Sequence, residues 1–189
     1  MSALSPVFRL VMIAAAWVGW LLPFVAARKR AREQAARIDP RARRGIVLEM
    51  AGFFCALMHG PHTWSSELAA WRAVAGTAFA IIAIALGWSA VTNLGRQWRI
   101  DAGLNANHEL VQTGAYRIVR HPIYASMLGM LLAAVCWVGT LPGWPLAIVL
   151  FLAGTEIRVR VEDALLSERF GERFAEWQKA VPAYLPFVR

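Results

Sequence analysis

Five consecutive residues, Arg120-His121-Pro122-Ile123-Tyr124, set a cation, an imidazole, a helix-starting proline and a phenol where a polar loop meets an apolar run. A proline in the first turn pre-organises a helix start, whose backbone donors hold anions, and Arg120 adds full charge there. A second set of charges follows at Glu156, Arg158, Arg160, Glu162 and Asp163. Arg158 and Glu162 stand i,i+4, as do Glu156 and Arg160, pairs worth ~0.3–0.5 kcal/mol each when solvated. Glu162 and Asp163 are adjacent, so on a helix they are not expected to face one partner together. At least one acid is then left for a ligand amine, a hydroxyl or a loop arginine. The bland alternative is that the arginines mark one side of a membrane, the histidine is satisfied locally and the pairs are intrahelical. The choice depends on the elements that position these groups.

Hydrophobic residues make up 58% of the 189-residue chain and charged residues 17%, with a mean hydropathy of +0.46. Apolar runs recur from end to end, as in a polytopic membrane protein. The first, 7–27, is followed by its basic block instead of preceded by it, so it reads as a retained span. Further spans are expected over 45–60, 68–92 and 122–141, with the turn Pro142-Gly143-Trp144-Pro145 leading into a fifth. Placing the basic block after the first span in the cytoplasm brings the loop 93–121 and the C-terminal segment to the same side. Only Arg9 and Arg72 of the 20 Lys and Arg then fall opposite. The positive-inside rule gives five spans, N-terminus out and C-terminus cytoplasmic.

The fifth span is the odd one. It is cleanly apolar only over 145–155, and the ~20 residues that cross a ~30 Å core reach about residue 164. Glu156 to Asp163 therefore fall within the membrane thickness, where ionisable groups line cavities or pair. Beyond it, Phe170, Phe174, Trp177 and Val181 recur at helical spacing beside charged faces, which predicts a cytoplasmic helix lying in the interface. Pro182 and Pro186 leave an extended tail.

Several functions lose support. The net charge of +8 has a topological explanation, and the basic residues build no aromatic-basic face for nucleic acid. Cys55 and Cys136 sit apart inside apolar runs, and His59 with His62 lack companion ligands, so neither a disulfide nor a metal site is expected. Trp20, Trp64, Trp71, Trp98, Trp137 and Trp144 fall near span ends, as belt residues do, with Trp98 also a candidate pocket wall. The loop 93–121 is long for so compact a chain, and long ordered loops are usually functional. No internal repeat or linker divides the chain. It reads as one domain, 1–189, with three spans over 1–92 and the chemistry over 93–189.

One family shares this pattern. Leu94-Gly95 with Trp98, then His108-Glu109-Leu110-Val111, Gly114, Tyr116, Arg120-His121-Pro122 and Tyr124 resemble the isoprenylcysteine carboxyl methyltransferase family, and the related phospholipid N-methyltransferases share the region. Arg158, Arg160, Glu162-Asp163, Leu166, Phe170-Gly171, Pro182 and Pro186 continue the resemblance in order and spacing, while 1–92 match only in being apolar. Arginine greatly outnumbers lysine, present only at Lys29 and Lys179, which hints at a prokaryotic-type member of a plasma (inner) membrane.

The resemblance implies an all-α membrane enzyme without a Rossmann sheet; with the spans counted above, the chain reads as five transmembrane helices plus a cytoplasmic C-terminal interfacial helix. It implies S-adenosyl-L-methionine arriving from the cytoplasm and a lipophilic acceptor arriving from the bilayer, among membrane lipids. The acceptor would be an isoprenylcysteine carboxylate-like group or a phospholipid amine. His108, Leu110, Val111, Gly114, Tyr116, His121, Pro122, Tyr124, Glu162 and Asp163 would bind cofactor. Arg120, Arg158 and His121 would be catalytic, an arginine orienting an acidic acceptor. Asp163, Ser126, Phe174 and Trp177 depart from the family pattern, standing where glutamate, glycine and tyrosines are common. Methyl transfer from a sulfonium is an in-line displacement that a dry, aligning site accelerates. Two other readings stand beside this one. A membrane NADPH-dependent sterol or steroid-type reductase has a resembling C-terminal pattern, but typically carries asparagine before the tyrosine where this chain has Pro122-Ile123-Tyr124. A non-catalytic membrane scaffold is the second.

Overall fold

A computed structural model describes residues 6–30, 37–57, 69–104, 107–138 and 143–186. Among these, six α-helices carry the architecture: α1 (Pro6–Arg30), α2 (Ala42–Leu57), α3 (Ala70–Leu94), α4 (Pro122–Val138), α5 (Gly143–Phe170) and α6 (Glu172–Ala180). The helical fold agrees with the sequence, apart from one two-residue antiparallel ladder. In it β1 (Arg37–Ile38) pairs with β2 (Gly103–Leu104), clipping the α1–α2 connection onto the long loop. Two helices are long and apolar enough to cross a membrane, over Val7–Arg28 and Ala70–Gln97, while Pro122–Val138 is apolar and shorter.

The sequence makes α5 the neighbour of α4. The structure pairs them differently: α2 packs along α5, and α3 packs along both α4 and α1. Small residues explain the choice. A Cβ added at Gly45 would lie 2.5 Å from the Gly154 carbonyl oxygen, and one at Gly52 2.7 Å from that of Ala147, so α2 and α5 meet backbone to backbone. Packing of this kind, and not water exclusion, drives helix association in lipid. The α4 helix is the core of the bundle, buried over most of its length, with Met130, Leu131 and Trp137 almost fully enclosed. Outward faces of the other helices stay apolar: Val11, Val18 and Val25 on α1, Phe54 on α2, Val74 and Ile81 on α3, and Val149 on α5 are all exposed.

Pro23 lies within α1. Proline removes the bond to the carbonyl four residues earlier, and that carbonyl, of Gly19, accepts from the Trp88 indole of α3 at 2.9 Å. The expected aromatic belt is smaller than the sequence suggests. Trp20, Trp98 and Trp137 are core residues, because neighbouring helices cover them; only Trp71, of those described, is largely exposed, and Trp64 lies outside the described residues. Trp98 packs on Phe24 at 5.9 Å and beside Ala27 and Val91. Cys55 and Cys136 are free thiols.

The interfacial helix is corrected too. The apolar residues Phe174 and Trp177 of α6 are buried against Ala90, Tyr116 and Leu166, so that face packs on the protein. After α6 the chain passes through a series of bends, and the carbonyls of Pro182 and Ala183 accept from the backbone N–H groups of Arg120 and His121 at 2.8 and 2.7 Å. The tail thereby lies against the loop that enters α4. His59 and His62 lie outside the described residues, as do 139–142 of the expected fourth span and turn.

Candidate functional site

The long loop is built, not slack. Short 3-10 turns form at Gly95–Gln97 and Gly114–Arg117. Gly114 has φ +59°, and a Cβ there would come within 2.3 Å of the Asn93 amide, so glycine is required twice over. Thr113 Oγ1 donates to Asn93 Oδ1 at 2.8 Å and the Ala115 N–H to Ser89 Oγ at 2.9 Å, which fastens the loop to the end of α3. This anchoring delivers Arg120 and His121 to the start of α4.

There α4 meets α5. His121 Nε2 stands 2.8 Å from Asp163 Oδ1, and Nδ1 stands 3.2 Å from Glu162 Oε2. The expectation that the adjacent acids do not share a partner is therefore wrong. An imidazole is wide enough to offer one ring nitrogen to each carboxylate. Since both partners accept, both nitrogens carry hydrogens and the ring is an imidazolium. Burial opposes this charge, but hydrogen bonds to Asp163 and Glu162, with their negative charges, outweigh it and hold His121 up to about 9. Asp163 Oδ2 also accepts from Arg120 Nη2 at 3.1 Å and from Gln178 Nε2 of α6 at 3.2 Å. The shorter carboxylate thus reaches three partners within the protein. The Arg120 guanidinium donates further to the carbonyls of Gln178, at 3.2 Å, and of Val181.

Tyr124, in the first turn of α4, donates its hydroxyl to Glu162 Oε1. Over its ring lies the Arg158 guanidinium, 4.8 Å from the centroid, a cation–π arrangement. Arg158 does not pair with its i+4 neighbour. Nη1 reaches Glu49 Oε2 of α2 at 2.8 Å and Nη2 the Ile100 carbonyl at 2.8 Å, while Nε is buried without a partner. The other expected pair, Arg160 with Glu156, does form at 2.8 Å on an exposed face.

Beside this cluster, Leu94, Gln97, Asp101, His108, Glu162 and Leu166 help to line a cleft. Glu162 belongs to both, held from behind by His121 and Tyr124. His108 is half-buried, rests on Phe170 at 6.4 Å, and keeps Nδ1 buried without a hydrogen-bond partner. Burial, with the Arg169 charge nearby, pushes His108 below its ordinary value, against the pull of Glu162. Leu110, Val111 and Tyr116 pack in the apolar cluster around Phe174 and Trp177. Burial pushes the Tyr116 hydroxyl above its ordinary range. Pro122 is fully buried at the start of α4.

Sequence reasoning brought together Arg120, His121, Tyr124, Arg158, Glu162 and Asp163, and these do converge. It passed over Glu49 and Gln178. A lone carboxylate in an apolar run, between Gly45 and Gly52, is the signal that was available for Glu49. Gln178 carries none, since its role depends on how α6 folds back. Among the described residues no cluster of three His, Cys, Asp or Glu is arranged to hold a metal ion.

A model of the phospholipid methyltransferase family matches residues 71–173, more than half of the chain. A curated relative, "Protein-S-isoprenylcysteine O-methyltransferase B" of Arabidopsis thaliana, is 28% identical over 130 residues, covering 67% of this chain and 62% of the relative. The matched part thus spans less than two thirds of that protein's length.

Proposed function

The chain belongs to the phospholipid methyltransferase family, and on that premise we propose that it is an integral membrane enzyme that methylates a lipid-like acceptor with S-adenosylmethionine. The observation that carries this reading is the imidazolium of His121 locked between Glu162 and Asp163 behind a cleft that Glu162 and His108 line. The residues fit the cofactor: a buried, unpartnered His108 nitrogen and a carboxylate on the wall offer a donor or acceptor and a negative charge to an amino acid and a sulfonium. Once bound, S-adenosylmethionine supplies an electrophilic methyl group on sulfur.

Everything else falls to the chain. Glu162 and His108 would hold the cofactor, with Gln97 and Asp101 completing the cleft. His121 and Tyr124 fix the Glu162 carboxylate from two directions, so that it is pre-organised. Asp163 and Arg120 act one layer back, holding His121 and the C-terminal tail. Arg158, with its Nε nitrogen unpartnered, is the group to orient an anionic acceptor. A carboxylate acceptor suits the site better than an amine. An amine must first lose a proton, and His121, with both nitrogens donating to carboxylates, is no base at neutral pH.

The exposed apolar faces on four helices exceed what a water-soluble surface carries, which supports embedding in a bilayer. We read five spans, N-terminus out and C-terminus cytoplasmic. Arg9 and Arg72 support this orientation: Arg9 donates to the Trp137 carbonyl and Arg72 to those of Cys136 and Val135, at the opposite end of α4 from Arg120. Membranes containing the protein, incubated with methyl-labelled S-adenosylmethionine, should incorporate label into an extractable lipid or lipidated product. NADPH-dependent reduction of a sterol with no methyl incorporation would replace this reading by the reductase one.

A further inference from the structure

Among the described residues Glu49 is one of the largest fully buried side chains, and it is an acid on a helix outside the residues matched by the family model. Its carboxylate is spoken for at both oxygens. Oε2 accepts from Arg158 Nη1 at 2.8 Å, and Oε1 accepts from Thr155 Oγ1 at 3.1 Å. Arg158 in turn covers Tyr124, whose hydroxyl donates to Glu162. One continuous chain of contacts therefore runs from α2 to the carboxylate on the cleft wall.

A helix clamp does not account for it. Gly45, Gly52 and Gly154 already bring the α2 and α5 backbones together. A buried ion pair is weak evidence for stability, since desolvation offsets much of the attraction and a well-packed apolar pair often does as well. Ionisable groups retained within membrane-spanning helices mark function by default. Arg158 has five N–H donors in a rigid fork, and its orientation is decided by what its two ends are bonded to. Glu49 holds one end and the Ile100 carbonyl holds the other.

We infer that Glu49 is a positioning residue for methyl transfer: it fixes the Arg158 guanidinium over Tyr124, and so fixes the acceptor-side wall of the site. The N-terminal part of the chain thus contributes to the chemistry as well as to anchoring. This rests on the methyltransferase reading.

The test uses the full-length protein in lipid nanodiscs, with S-adenosylhomocysteine binding measured by calorimetry and methyl incorporation from labelled S-adenosylmethionine into an added S-prenylated cysteine measured in parallel. Glu49→Gln keeps the shape and removes the charge that holds Arg158. It should bind S-adenosylhomocysteine within about twofold of wild type while kcat falls roughly 10–100-fold, the usual effect of removing an orienting partner. Glu49→Asp, which keeps the charge, should recover part of that loss. Wild-type kcat in Glu49→Gln overturns the assignment. So does a loss of binding and turnover in equal measure, the signature of a merely structural role. If Glu49→Gln does not fold, Thr155→Val decides, because it loosens Glu49 without removing it. Lowered kcat at unchanged affinity supports the inference, and unchanged kcat overturns it. A wild-type protein that transfers no methyl group defeats the methyltransferase reading itself and this assignment with it, a result distinct from any of these.

Discussion

His121 has a carboxylate on each ring nitrogen and almost no solvent, so its proton is part of the structure. Its value of about 9 exceeds the ordinary 6.5, which fixes the sign of a pH effect. A group held above its ordinary value stabilises the fold fully below about 6.5 and loses that contribution as the pH rises through about 9. Melting of the detergent-solubilised protein should therefore fall between pH 6.5 and 9.5, by roughly 3–8 °C, and His121→Gln should flatten that slope. Asp163→Asn tests the same lock from the other side. It leaves the buried Arg120 and His121 charges without their shared anion, and breaking such a buried pair costs about 3–5 kcal/mol. Denaturation in mixed micelles would measure it.

At the scale of elements, the glycines decide which helices touch. A Cβ at Gly154 would sit 2.5 Å from the Gly45 carbonyl oxygen and 2.8 Å from the Glu49 nitrogen, backbone atoms that do not swing aside. Gly154→Ala should thus lower stability by about 1–3 kcal/mol, the usual cost of overpacking, and should reduce turnover through Glu49 and Arg158. Thermal melts and a methyl-transfer assay would separate the two effects. The same contact shows what was legible beforehand. The runs that became α1, α3 and α4 stood out because spanning helices are long and apolar. The charges on α5 stood out because apolar surroundings make them conspicuous. Helix partnership was not legible, since any apolar helix can face any other, and only the placement of small residues chooses. For the same reason the shared His121 was missed: adjacency along a helix separates two acids by direction, but a ring entering from α4 spans both. Phe174 and Trp177 have the spacing of an interfacial face, and periodicity does not distinguish lipid from Tyr116 and Leu166 as what covers it.

At the scale of the whole molecule, two groups of charges sit at opposite ends of α4. At its far end Arg9 and Arg72 hold the last carbonyls of the helix, while at its start the Arg120–Asp163 lock joins loop, α5, α6 and tail. Two single cysteines in a background without Cys55 and Cys136 test the orientation. Arg41→Cys, at a largely exposed side chain, should react with a membrane-impermeant maleimide only from the cytoplasmic face. Trp71→Cys, also exposed, should react only from the other, and the reverse pattern would invert the topology. The account as a whole turns on the cleft beside Glu162. The most direct measurement is calorimetric titration of the purified protein with S-adenosylhomocysteine, repeated for Glu162→Ala and His108→Ala. Saturable binding in the wild type, weakened at least tenfold in both variants while their melting stays cooperative, is the expected result. Binding unchanged in both would show that the cofactor lies elsewhere and contradict the account.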